Sequence, residues 1–192
     1  MHPSCEVVGV NYAVGHTELL WLRNRAKLRR CPHCGELGAM NAHGFLRGYS
    51  LCGQPNVIRG RRFYCSNRGN RPGCGRTVSV LLHVLLARFL VTTTLLAKLV
   101  HGVLAGDSVR STWLAVCDGK FSERNGYRMW HRIVQAQPRL RSLLFGRGPP
   151  KESTEKHPLA QMVSHMQDVL PTQTEYNLFA RFQSVFQQGV LP

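Results

Sequence analysis

Carboxylates are scarce in this chain: ten Asp and Glu in 192 residues, against 25 Lys and Arg, for a formal charge of +15. The shortage bears first on catalysis. Phosphoryl and strand transfer on paired metal ions need several carboxylates gathered on one fold, and beyond residue 80 the sequence has few acids and no run of strands to carry them. A helical His-Glu-x-x-His, a Walker phosphate loop and a Gly-x-Ser-x-Gly elbow are missing too. Tyr127, Tyr176, His101 and His131 have no activating partner in the sequence and read as packing or surface residues. The expectation is a protein that is not an enzyme.

Long apolar runs are also lacking. The richest, Leu81 to Val91, contains His83 and Arg88 and is about half the length that crosses a bilayer, so it reads as a buried helix. No basic flank followed by an apolar core opens the sequence, and a cytoplasmic location is expected.

Cysteines number seven, an odd count in a chain far longer than small disulfide-stapled domains, which fits a reducing compartment. Cys5 and Cys117 read as small buried hydrophobes. The other pattern is paired. Cys31 and Cys34 lie in CPHCG, where Pro32 and Gly35 favour the tight turn that aims both sulfurs one way. Cys65 and Cys74 lie in YCSNRGNRPGC with eight residues between them, so Ser66 to Gly73 must loop out of the second turn. Two such pairs suit the closed tetrahedral site of a structural Zn²⁺. Cys52, His33 and His43 lie near enough in sequence to replace one of the four.

The positive charge is unevenly spread: residues 1 to 80 carry a net +9, residues 81 to 150 carry +7, and the remainder carries −1. Arginine far outnumbers lysine, and its planar fork suits phosphate oxygens and guanine edges. Polyanionic partners are expected to meet the first 150 residues, with double-stranded DNA the leading candidate. Arg59, Arg61 and Arg62, beside Phe63 and Tyr64, and Arg76 beyond Cys74 are the candidate contacts of the cysteine-bearing region.

The element pattern predicts an α+β chain: a small antiparallel zinc ribbon, then a helical domain, then C-terminal helices. The expected boundaries are an extension over 1–30, the ribbon over 31–80, a helical domain over 81–147, a linker over 148–158 and a helical segment over 159–192. A strand is expected over Glu6 to Val14. Helical spacing is seen over 81–91, 94–105, 108–117 and 122–145. The third and fourth of these, joined by a turn at Asp118-Gly119-Lys120, form a predicted helix-turn-helix. On its second helix Tyr127, Trp130, Ile133 and Val134 fall on a packing side. Arg124, Arg128, Arg132 and Gln135 gather on the other side, where a recognition helix would reach phosphates and base edges. Gly126 sits in that helix at a cost in propensity, to allow a close approach of backbone to DNA or to the preceding helix. Phe179, Phe182 and Phe186 recur at helical spacing as a core face or one for self-association.

CPHCG, HGFLRGY, RGRRFYC and CGRTVSVLL together resemble the N-terminal zinc-binding module of bacterial insertion-sequence transposases, over about residues 31 to 136. The eight-residue gap departs from that pattern. The resemblance implies Cys31, Cys34, Cys65 and Cys74 as metal ligands and Ser122 to Gln135 as the segment that binds element-end DNA. It further implies a nucleoid-associated accessory or truncated transposase, working with a separate transposase. Two other functions fit the composition. One is an RNA-binding zinc-ribbon protein of a ribonucleoprotein, with Phe63 and Tyr64 stacking on bases; the other is a protein-interaction adaptor stapled by its metal.

Overall fold

A computed structural model describes residues 12–13, 15–49, 55–87, 89–152, 154–171 and 176–191. The architecture is mixed α+β. Among the described residues it comprises one four-stranded sheet and six α-helices. The chain divides into two compact units, Met1–His83 and Val84–Pro192.

The first unit is built on the sheet. Strands β2 (Met40–Gly48), β3 (Val57–Cys65) and β4 (Thr77–Leu82) run antiparallel, and a two-residue strand, β1 (Tyr12–Ala13), joins β4 in parallel to give the order β1-β4-β3-β2. Helix α1 (His16–Asn24) and a 3-10 turn (Ala26–Leu28) precede β2. Residues 15–30, expected as an extension, are therefore part of this unit. Only Tyr12 and Ala13 of the strand expected over 6–14 lie among the described residues.

Strand alternation decides which side chains are covered. Phe63 pairs with Val78 and Arg61 with Val80 on one face, where all four are buried; Leu19 and Leu22 of α1 are buried as well. Arg62 pairs with Ser79 and Tyr64 with Thr77 on the opposite face, which is open apart from a half-buried Tyr64. Two bulges interrupt the β2–β3 register, one placing His43 between paired Ala42 and Gly44, the other placing Arg59 between paired Ile58 and Gly60.

Residues 81–91 do not form the expected helix. The strand continues through Leu82 because Leu81 and Leu82 are the partners of Tyr12 and Ala13. Beyond it the chain turns, with a single bridge from Leu85 to Thr92. An apolar run of this length fits a buried strand as well as a helix, and here pairing decides.

The second unit is helical: α2 (Thr93–Leu104), α3 (Val109–Cys117), α4 (Glu123–Phe145), α5 (Pro158–Val169) and α6 (Leu178–Phe186). Side chains cap four of the starts. Thr92 Oγ1 accepts from Leu95 N–H, Ser108 Oγ from Ser111 N–H, His157 Nδ1 from Leu159 N–H, and Asn177 Oδ1 from both Phe179 and Ala180 N–H. The turn between α3 and α4 is made by Asp118 and Gly119, at φ 51° and 68°. Glycines let these helices close on one another: Gly102 faces Thr112, and Gly126 faces Trp113.

The buried stripe of α4 is Gly126, Met129, Ile133, Ala136, Leu140 and Leu144. Tyr127 and Val134, expected on the packing side, are exposed instead. The phenylalanine stripe is core, since Phe179 and Phe182 are buried and Phe186 lies half-buried against Phe182. No helix among the described residues is long and apolar enough to cross a membrane.

Candidate metal centre and basic surfaces

Cys31, Cys34, Cys65 and Cys74 converge, all four sulfurs lying within 4.8 Å of one another. Cys31 Sγ is 3.8 Å from Cys74 Sγ, and Cys34 Sγ is 3.7 Å from Cys65 Sγ. A disulfide needs about 2.05 Å, so these are not bridges. Four thiolates around one ion at about 2.3 Å stand roughly 3.8 Å apart at tetrahedral angles, and the Cys31–Cys74 and Cys34–Cys65 separations match that figure. The donor set is therefore a fit for a metal ion.

Local backbone structure builds the site. Cys31 and Cys34 sit on a turn between α1 and β2, Cys65 ends β3, and Cys74 precedes β4. In the first turn Gly35 N–H donates to the Cys31 carbonyl at 2.8 Å, and His33 N–H points at Cys31 Sγ at 3.4 Å. In the second, Gly75 N–H donates to the Cys65 carbonyl at 2.9 Å, and Cys74 N–H points at Cys65 Sγ at 3.3 Å. Amide donors of this kind favour the thiolate form that metal binding requires. The Glu36 backbone holds the exposed Cys34 thiol down to about 7, whereas burial pushes the Cys65 thiol up to about 12. Arg30 Nη1 donates to the carbonyl of Gly35, the residue after Cys34, at 3.1 Å.

His33 and His43 are exposed and stand outside the sulfur cluster. Cys5 and Cys52 lie outside the described residues. Cys117 is buried in the second unit, and burial pushes its thiol up to about 11.

The arginines expected at a nucleic-acid surface fall into two groups. Arg62, Arg76, Arg124 and Arg128 are exposed, and so is Gln135. Glu123, at the start of α4, is engaged by Arg110 at 2.8 Å. Arg132 is half-buried with its guanidinium 5.0 Å above the Phe89 ring.

Arg61 and Arg59 depart from expectation. Arg61 is buried beside Phe45, 4.5 Å from the ring centroid, so it is no surface contact. Arg59 is half-buried at its bulge, lies across Gly48 and donates to the Tyr49 carbonyl at 3.1 Å. The open positions that sequence reasoning missed are Arg68 and Arg71, both exposed in the loop between Cys65 and Cys74. The signal was in the motif itself, which lengthens a cysteine pair by a segment holding two arginines and no acid.

Comparison with protein-family models, with curated proteins and with solved structures found no match.

Proposed function

We propose that this chain is a non-catalytic, zinc-dependent DNA-binding protein, of the accessory or truncated-transposase type. Zinc is the ion that four clustered cysteine sulfurs suit best. In this reading it does structural work, closing a small unit whose apolar core is modest. Helix α3, the Asp118–Gly119 turn and α4 act as a helix-turn-helix, with α4 entering the major groove.

The observation that carries the reading is the open side of α4. Arg124, Arg128 and Gln135 are exposed there while the opposite stripe is packed, and the helix's one acid, Glu123, is already engaged by Arg110. Arginines without local counter-charges are suited to phosphate.

Fluorescence anisotropy with labelled duplex DNA tests it, alongside elemental analysis for zinc. The parent should hold about one zinc and bind duplex with an affinity that falls steeply with salt. Arg124→Ala and Arg128→Ala should each weaken binding several-fold with zinc retained. A parent that ignores duplex DNA, or that prefers single-stranded RNA in competition, overturns the reading.

A further inference from the structure

The six residues that lengthen the second cysteine pair make none of the hydrogen bonds that close the turn holding its sulfurs, although the Asn67 amide lies against Gly75. In the first turn, Gly35 N–H bonds the Cys31 carbonyl and Cys31 N–H bonds the Glu36 carbonyl, at 2.8 and 2.9 Å. The second turn closes with the same two bonds, Gly75 N–H to the Cys65 carbonyl and Cys65 N–H to the Arg76 carbonyl, both at 2.9 Å. Gly35 and Gly75 even share their left-handed backbone, at φ 74° and 72°. Every group in this closure lies outside residues 67–72.

The insertion closes its own neck instead. Gly73 N–H donates to the Ser66 carbonyl at 3.1 Å, and Ser66 N–H anchors the base to the Ala39 carbonyl at 2.8 Å. A β-carbon at 73 would overlap the Ser66 carbonyl and crowd Cys65 Sγ, so glycine is required there. Beyond the neck all six residues are exposed, and Gly69 and Asn70 turn the tip at φ 59° and 61°. For asparagine that conformation costs about 1 kcal/mol, and the tip buries nothing in return.

The insertion is nevertheless held to one side. Tyr64 Oη donates to Asn67 Oδ1 at 2.7 Å, and the Arg68 guanidinium stands 6.0 Å from the Tyr64 ring centroid. Tyr64 and Arg62 share the open face of β3, so Arg68 stands beside the face that already carries Arg62. Arg71 adds a second exposed charge, and the insertion has no acid.

We propose that residues 67–72 form a phosphate-contacting finger, in which Arg68 and Arg71 grip the backbone of duplex DNA beside Arg62. This rests on the DNA-binding reading and extends it to residues that the metal turn does not use. Two variants test it. Deleting 67–72 joins Ser66 to Gly73 and restores the two-residue spacing of the first cysteine pair; Arg68→Gln/Arg71→Gln keeps the loop and removes its charge.

Both are titrated with duplex DNA between 50 and 200 mM salt, with zinc content measured in parallel. Each lost phosphate contact lowers the salt slope by about 0.9, so two lower it by about 1.8, and the parent's advantage should shrink roughly twelvefold across that range. Zinc should remain near one per chain. If the deletion fails to load zinc, the glutamine variant decides. Parent-like affinity and slope in the glutamine variant overturn the finger and leave the DNA reading standing. Absence of DNA binding by the parent overturns both.

Discussion

The indole of Trp113 lies over Gly126, so close that a β-carbon at 126 would overlap Cβ and Cγ of the tryptophan. Trp113 is fully buried, and its Nε1 donates to the Ser122 carbonyl at 3.0 Å, tying α3 to the residue that precedes α4. Glycine costs roughly 1 kcal/mol of helix propensity here, and the close approach of the two helices is what it permits. Gly126→Ala should therefore destabilise the second unit by about 1–3 kcal/mol despite the better helix former. Denaturant titration checks this, and a stabilised variant would refute the packing role.

Metal removal should act locally. A zinc chelator should abolish hydrogen-exchange protection at the amides of Phe63 and Val78, whose strands enter or leave the cysteine turns. The amides of Ile133 and Leu140 in α4 should stay protected. Equal loss in both places would show that the sulfurs hold more than their own unit.

Cys117 gives a pH dependence whose sign is fixed by burial. Its thiol titrates near 9 when the chain is unfolded and near 11 when folded, so between those values the folded form binds more protons. Its contribution to stability is complete below pH 9 and fades as pH rises to 11. The difference in Tm between the parent and Cys117→Ala should accordingly narrow from pH 8 to pH 11. A constant difference would contradict the assignment.

Asn177 serves two elements at once. Its Oδ1 caps α6, and its Nδ2 donates to Thr93 Oγ1 at 3.0 Å and Thr94 Oγ1 at 3.2 Å, in the first turn of α2. Asn177→Ala should cost about 1–2 kcal/mol, measured by denaturant titration. Asn177→Asp, which keeps the cap acceptor and loses the donor to the threonines, should cost less.

Much of this was readable where the signal is local. Paired cysteines with adjacent glycines marked the sulfur site, and Asp118-Gly119 marked a turn because its left-handed backbone demands such residues. What escaped depended on partners distant in sequence. Leu81 and Leu82 have helical spacing, and nothing near them in sequence reveals their pairing with Tyr12 and Ala13. Hydrophobicity places Tyr127 and Val134 on the packing side, yet Gly126 is buried because Trp113 of α3 takes the room beside it. Arg59, Arg61 and Arg62 look like one surface in sequence, although residues 61 and 62 of a strand must face opposite ways.

The side chain of Gln183 joins the opening of the second unit to its far end, its Nε2 donating to the Leu85 carbonyl and its Oε1 accepting from Val190 N–H. During synthesis that latch cannot shut until about a hundred further residues have followed Leu85 out of the ribosome. The four sulfurs and the turns that hold them need only the stretch up to Arg76, so they can come together while the helical unit is still waiting for closure.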